Sequence, residues 1–173
     1  SMQPDVIVAI STPSAQSVLS ALRGQVIPVV FTAVSDPVSA RLVPSLLHPG
    51  PGITGVTDLL SPESQLQFVR RWIPQLKNLG VIYNPGESNS AALLKGLEAV
   101  ARSSAIHLVP ATAGRSGEVV AAAQSLVGRV DAIYVPNDNT AVSAIESIVH
   151  VGVKNKLPVF AGDMGSVVRG AIG

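Results

Sequence analysis

The chain has 173 residues, of which 47% are hydrophobic and 13% charged, with a formal net charge of +1 and no cysteine. This length allows one domain or two small ones, and the apolar content is sufficient for a buried core. No basic run is present, so nucleic acid is not an expected partner, and the lack of cysteine excludes thiol catalysis, Cys-type zinc sites and disulfides. No apolar run approaches the roughly 18 residues that a membrane-spanning helix needs.

One pattern recurs along the chain: a short apolar run rich in β-branched residues ends in small polar residues, and a segment with helical apolar spacing follows. The predicted strands are 5–10, 27–31, 79–83, 105–110, 131–136 and 157–162. Apolar residues spaced by three and four predict helices around 15–22, 66–76, 93–101 and 142–149. Apolar strands that alternate with helices predict an α/β protein with doubly wound parallel sheets, covered on both faces.

The pattern is interrupted once, between Ser35 and Ser61, where several Pro and Gly residues oppose a helix of any length. A short strand is predicted inside this stretch at 53–57, and the stretch is interpreted as a crossover between two lobes. The second lobe then covers roughly 62–162, and the first is represented only by 5–34. Because two parallel strands do not make a stable layer alone, we expect further sequence, or a partner, to complete the first lobe.

Small polar side chains follow most of the predicted strands. They are, in chain order, Ser11, Thr12, Thr32, Ser35, Asp36, Asn84, the residues 87–90, the residues 137–140 and Asp163. One interpretation is helix capping, with Ser88 or Ser90 capping one helix and Asn137 or Asp138 the next. Capping uses about one such residue per helix, and ligands of doubly wound sheets bind beyond the carboxyl ends of the strands. The excess of polar groups therefore predicts a ligand site at this edge.

The chemistry of these side chains indicates the kind of ligand. Amides and hydroxyls bind both donors and acceptors, and Asp36 and Asp163 supply fixed negative charge for a cation. Helix N–H groups near Thr12 suit a carboxylate. This combination favours a small zwitterion or a polyol over a phosphate.

Known catalytic and cofactor motifs are largely missing from the sequence. Residues 50–55, GPGITG, match a dinucleotide-binding pattern, but no strand precedes them and no helix follows them. There is no phosphate-binding P-loop and no nucleophile elbow, and His48, His107 and His150 lack the spacing of metal ligands. Nothing places Asp36 and Asp163 at a catalytic separation. We therefore expect no cofactor, no metal and no catalytic residue.

Five blocks of the sequence resemble the substrate-binding proteins of ABC importers, in the family that includes members binding tryptophan and other aromatic amino acids. The blocks are IPVVFTAVSDPVSARLV, PGPGITGV, LGVIYNPGESNS, DAIYVPNDNTAVSA and LPVFAGD. The resemblance implies a type I periplasmic binding protein, with two α/β lobes joined by three crossovers and closing over a ligand. It implies a partial first lobe with crossover at 1–57, a nearly complete second lobe at 58–163, and the start of a return crossover at 164–173.

The same resemblance implies the roles of individual side chains. In the first lobe the ligand-binding residues would be Ser11, Thr12, Thr32, Ser35 and Asp36. In the second lobe they would be Asn84, Asn89, Ser90, Asn137, Asn139, Thr140 and Asp163. Asp163 is expected to bind the ammonium group of the ligand. The hydroxyls of Ser11, Thr12 and Thr32, with neighbouring backbone N–H groups, are expected to bind its carboxylate.

The resemblance implies a protein that captures a solute without catalysis. Its ligand would be amino-acid-like, and the family suggests an aromatic amino acid. The protein would act in the periplasm or cell envelope and deliver the ligand to ABC permease subunits in the membrane. Ser1-Met2 resembles a cloning remnant, and an export signal, two strand–helix units and a C-terminal segment are expected outside the chain. Two alternatives stay open. One is the ligand-sensing effector domain of a transcription regulator, and the other is a doubly wound enzyme such as a racemase or hydrolase.

Overall fold

The computed structural model describes residues 4–23 and 25–173, and the Ser1-Met2 pair lies outside the described residues. The chain divides into two compact units, Ser1–Leu59 and Leu60–Gly173. We call them the first and the second unit. Each contains a parallel sheet with its own hydrophobic core, which confirms the predicted α/β class. Within the described ranges, no helix combines the length and apolarity needed to cross a membrane.

The first unit is a three-stranded parallel sheet with one helix. Its elements are β1 (Ile7–Ile10), α1 (Thr12–Ala21), β2 (Val29–Val34) and β3 (Ile53–Thr57), and the strand order is β1-β2-β3. The predicted strand at 53–57 is therefore confirmed. On one face, Ala9, Val29 and Phe31 pack with Ala15 of α1 and its neighbours because β-strand side chains alternate between faces.

The other face of this sheet carries exposed apolar side chains. Val8, Ile10 and Val56 are 61%, 64% and 67% exposed. Within the described residues, the two-sided covering predicted for the parallel sheets is therefore present in the second unit, whereas the first unit has the incomplete form predicted for its lobe. The reason is that α1 is the single helix described in this unit, and it lies against one face.

The second unit is doubly wound around a four-stranded parallel sheet of order β5-β4-β6-β7. Its strands are β4 (Asn78–Tyr83), β5 (His107–Thr112), β6 (Ala132–Val135) and β7 (Val159–Ala161). Its helices are α2 (Pro62–Trp72), α3 (Ser88–Ser103), α4 (Val119–Leu126), α5 (Asn139–Ser143), α6 (Ile145–Asn155) and α7 (Met164–Val168). A 3-10 turn, Ser116–Glu118, precedes α4.

Successive side chains along the strands of the second sheet pack into two hydrophobic clusters, one on each face of the sheet. Val81 of β4 packs into the cluster formed with α2 and α3, whereas the next residue, Ile82, packs into the cluster formed with α4 and α6. Ile133 and Tyr134 of β6 divide in the same way. Both faces are therefore covered, as the continuous apolar runs predict.

Helix ends and breaks differ from the predictions in two places. The N-cap of α3 is Glu87 and not Ser88 or Ser90, and none of its side-chain atoms caps the helix. Asp138 does cap α5, accepting a hydrogen bond from the Ala141 N–H, as predicted. The helix predicted around 142–149 is broken at Ala144 into α5 and α6, because the backbone of Ala144, with φ −117° and ψ 25°, is not helical.

Candidate functional site

Two loops at the carboxyl edge of the second sheet are joined by a hydrogen-bond network. One loop follows β4 and the other follows β6, and these two strands are neighbours in the sheet. The network includes the side chains of five predicted ligand-binding residues, which are Asn84, Asn89, Ser90, Asn139 and Thr140, and the backbone carbonyl of a sixth, Asn137. Its centre is formed by two carboxylates, Glu87 and Asp138.

Asp138 is fully buried between the two loops. Its Oδ2 accepts a hydrogen bond from the Asn84 N–H at 2.6 Å, and its Oδ1 accepts from the Ala141 N–H at 2.7 Å. Burial raises the pKa of Asp138, and these bonds, with one from the Ser90 hydroxyl, oppose that rise only in part. Asp138 therefore fixes the end of β4 to the start of α5.

Glu87 is only 8% exposed and receives donors from two consecutive residues of α5. Its Oε2 accepts from Asn139 N–H at 3.0 Å and Nδ2 at 2.6 Å, and its Oε1 accepts from Thr140 N–H at 3.0 Å and Oγ1 at 2.8 Å. Burial raises the pKa of Glu87, but these hydrogen bonds together outweigh it, and the net pKa lies below the ordinary value. Glu87 is one of the polar residues predicted at this edge, but no role was predicted for it. The sequence signal for such a role was the position of this carboxylate among the hydrogen-bond donors of the loop after β4.

The amide side chains of the same network are engaged in holding the loops. Asn84 donates from Nδ2 to Thr140 Oγ1 at 2.8 Å, and its Oδ1 accepts from the Gly86 N–H at 2.8 Å. Asn89 is 2% exposed and donates from Nδ2 to the Asn137 carbonyl at 2.8 Å. Among the described residues, no partner donates to Asn89 Oδ1.

The far end of α5 is held by Arg169, which directly follows α7. The guanidinium donates to the carbonyls of Val142 at 2.7 Å and Ser143 at 3.2 Å, and it forms an ion pair with Glu146. These carbonyls belong to the last turn of α5, where a helix leaves its C=O groups unpaired. Glu87 and Arg169 thus hold α5 from opposite ends.

Asp163 lies in a different part of the same edge, where β7 ends. Its carboxylate caps α7 by accepting from the Ser166 N–H at 2.8 Å and the Ser166 hydroxyl at 2.5 Å. It also borders a cavity of about 250 Å³ with mainly apolar walls. The cavity is lined by residues that include Leu60, Phe68, Tyr134, Gly162, Asp163 and Met164.

Gly162, which borders the cavity, lies close to Tyr134 and Asn137. A Cβ at Gly162 would lie 2.9 Å from the Tyr134 hydroxyl oxygen and 3.0 Å from Asn137 Oδ1. The Tyr134 hydroxyl donates to Gln65 Oε1 at 2.6 Å. Burial, and then the charge of Asp163, raise the pKa of Tyr134, so this hydroxyl stays protonated. Asn137 therefore lies beside Gly162 and is not itself one of the residues that line the cavity.

Three predicted residues of the first unit meet at the carboxyl edge of its sheet. The Ser11 N–H donates to the Thr32 carbonyl at 3.0 Å, and Thr12, 2% exposed, is the first residue of α1. Ser11 has φ 76° and ψ 158°, a region that is almost exclusive to glycine, so its backbone is strained. Its side chain forms no capping hydrogen bond with α1.

Asp36 and Ser35 occupy the loop after β2. Ser35 is 3% exposed. Asp36 accepts from the N–H groups of Val38 at 3.1 Å and Ser39 at 2.9 Å, and from the Ser39 hydroxyl at 2.5 Å. The carboxylate thereby stabilises the turn that follows, a role that the sequence analysis did not predict. Within residues 4–23 and 25–173, no group of three or more acidic or His side chains is arranged to hold a metal ion.

Acidification is expected to remove the stabilisation that Glu87 provides. Because its pKa is lowered on folding, this contribution is fully present above the ordinary value of about 4.3 and is lost as the pH falls through the folded value. The difference in unfolding free energy between the protein and Glu87→Gln should be largest near neutral pH and shrink below about pH 4. Denaturant titrations across this range measure it. Asp138, whose pKa is raised, is present in both proteins, so its titration cancels in this difference. A difference in unfolding free energy that does not change with pH would contradict the lowered pKa of Glu87.

Comparison with known proteins identifies the family to which the chain belongs. The chain belongs to the family of ABC transporter substrate-binding proteins, whose model matches residues 1–173. The members of this family are binding proteins and not enzymes, which agrees with the prediction made from the resemblance.

Individual relatives share the sequence and the fold. A tyrosine-binding protein of Clostridioides difficile (strain R20291) is 42% identical over 168 residues, which are 97% of this chain and 48% of that protein. A conserved domain protein from Vibrio cholerae O1 biovar eltor has a solved structure with a TM-score of 0.93 and 43% identity, covering 98% of this chain and 56% of that one. The ABC domain from Streptococcus pneumonia in complex with L-Trp has a TM-score of 0.91 and 30% identity, covering 96% and 56%. This chain therefore spans about half the length of these relatives.

Proposed function

We propose that the protein is the solute-binding component of an ABC importer, which captures a small amino-acid-like ligand between two lobes and delivers it to a membrane permease. In this proposal the residues 1–57 contribute part of the first lobe and its crossover. The residues 58–163 form the second lobe, and 164–173 begin the return to the first. The site of action would be the periplasm or cell envelope.

The observation that carries the proposal is the combination of Asp163 with an apolar cavity at the carboxyl edge of the second sheet. The cavity, at about 250 Å³, is close to the roughly 300 Å³ at which small-molecule pockets begin. A carboxylate beside apolar and aromatic walls suits a ligand with an ammonium group and an apolar side chain. The ligands named for two relatives, tyrosine and L-Trp, have this chemistry.

The first unit would supply the contacts to the ligand carboxylate. Ser11, Thr12 and Thr32 lie together where β1 and β2 end and α1 begins. A helix N-terminus favours an anion because its first N–H groups lack partners within the helix. The strained backbone of Ser11 at this point supports a functional role, since such conformations concentrate at binding sites.

Capture would depend on closure of the two lobes. A ligand that contacts both lobes only in the closed state shifts the equilibrium between open and closed forms by its differential affinity. The permease would then recognise the closed form. No covalent step is needed.

The proposal is tested with the full-length protein. Native mass spectrometry of freshly purified protein should show a co-purified small molecule of amino-acid mass, and calorimetry should show saturable binding of L-tyrosine or L-tryptophan. Prolonged incubation should return the amino acid unchanged. Chemical turnover of the amino acid, or the absence of binding for both compounds, would refute the proposal.

A further inference from the structure

The Asn139 side chain is exposed, yet one half of its amide is firmly held. Nδ2 donates to Glu87 Oε2 at 2.6 Å, the shorter of the two bonds that this oxygen accepts from Asn139. Among the described residues, none donates to Asn139 Oδ1. The Nδ2 group of this amide is therefore bonded within the protein, whereas Oδ1 is accessible to a ligand.

The orientation of this amide follows from charge. If the amide were rotated by 180°, Oδ1 would lie against the Glu87 carboxylate, and two acceptors would face each other at hydrogen-bonding distance. Glu87 itself has little freedom, because it is 8% exposed and its other oxygen accepts from the Thr140 N–H and hydroxyl. The alternative amide orientation is thus disfavoured by electrostatics.

We propose that Glu87 is a positioning residue that locks Asn139 so that it offers only a hydrogen-bond acceptor at the carboxyl edge of the second unit. The ligand group that meets this acceptor is a donor, the ammonium group, and a carboxylate is rejected there. This inference rests on the proposed function, because it assumes that the ligand binds at this edge. It adds a specificity element to Asp163, and this element lies at the end of a different strand.

Thr140 and Asn84 do not share this role. The Thr140 hydroxyl both donates to Glu87 and accepts from Asn84 Nδ2, and Asn84 Oδ1 accepts from the Gly86 N–H. Their polar atoms are therefore used within the protein. Asn139 is the member of this network that combines an exposed side chain with an acceptor open to a ligand.

The test compares two probes in the full-length protein: L-tyrosine and its desamino analogue, 3-(4-hydroxyphenyl)propanoate. Glu87→Met removes the four hydrogen bonds that Asn139 and Thr140 donate to the carboxylate, together with a longer one from Asn84, and keeps a side chain of similar length. It is expected to weaken L-tyrosine binding about tenfold, the effect of one charge-assisted hydrogen bond, and to change binding of the analogue less than about twofold. Glu98→Met, at an exposed position of α3, is the matched control and should change neither.

A second variant and a second measurement separate the possible outcomes. If Glu87→Met does not fold, Asn139→Ala provides the same comparison at an exposed site, with the same selective loss expected. By NMR, the Asn139 Nδ2 protons should exchange with water at least about tenfold faster in Glu87→Met than in the unaltered protein.

Equal weakening of both probes would overturn the selective role of Glu87, as would unchanged exchange of the Asn139 amide protons. If the unaltered protein binds neither L-tyrosine nor L-tryptophan, the proposed function fails for this ligand class. The exchange measurement then still decides whether Glu87 locks the amide.

Discussion

Asp163→Asn is expected to weaken the binding of L-tyrosine or L-tryptophan to the full-length protein more than tenfold, which corresponds to at least about 1.4 kcal/mol. The substitution removes the negative charge beside the mainly apolar cavity, and with it the charge that we expect to pair with the ammonium group of the ligand. It keeps an oxygen that accepts the Ser166 N–H, so the cap of α7 is retained. Titration calorimetry measures the dissociation constant.

Asp5→Asn is the matched control for this charge change. Asp5 is exposed and precedes β1 at the opposite, amino end of a strand, so its neutralisation should leave binding within about twofold. Thermal unfolding of both variants checks that the fold is intact. An unchanged dissociation constant for Asp163→Asn would remove Asp163 from the site.

Asp138→Ala is expected to lower the free energy of unfolding by about 3 kcal/mol or more. The substitution leaves the Asn84 and Ala141 N–H groups without their acceptor in a fully buried position, and each such group costs about 1–3 kcal/mol. The contact joins residues 54 positions apart, so the loss also separates the two loops at the sheet edge. Denaturant-induced unfolding at neutral pH provides the measurement.

Asp131→Ala is the matched control, because Asp131 also accepts from two backbone N–H groups. Its Oδ2 accepts from Lys77 N–H at 2.9 Å and Asn78 N–H at 2.7 Å, but the residue is exposed. Water can replace the carboxylate there, so a loss of about 1 kcal/mol is expected. Equal losses for the two variants would show that burial of Asp138 does not set the cost.

The elements of the second unit were predictable because burial imposes a period on the sequence. The strands β4, β6 and β7 coincide with continuous apolar runs, and α3 coincides with a stripe of leucines on one face. The short helix α4 was not singled out. Its sequence, VVAAAQSL, is apolar on most sides and therefore shows no contrast between a buried and an exposed face.

The positions of the polar residues were predictable from the sequence, but their roles were predictable only in part. The sequence placed Asn84, Asn139 and Asp163 after strands of one sheet, and the structure has them at that edge. Their contact with a ligand stays a prediction. Glu87 was predicted as one of the polar residues after a strand, but its role in holding α5 was not. Its partners, Asn139 and Thr140, are 52 and 53 positions away, and no local pattern reports a contact of that range.

The sequence by itself determined the α/β class and the strand ends that the polar residues follow. These depend on local periodicity and on the rule that parallel strands end at a common edge. Only the tertiary structure decided which carboxylate holds a loop and which borders a cavity. Asp138 and Asp163 both cap helices and both follow strands, and they differ only in what surrounds them, which is buried backbone for Asp138 and an apolar cavity for Asp163.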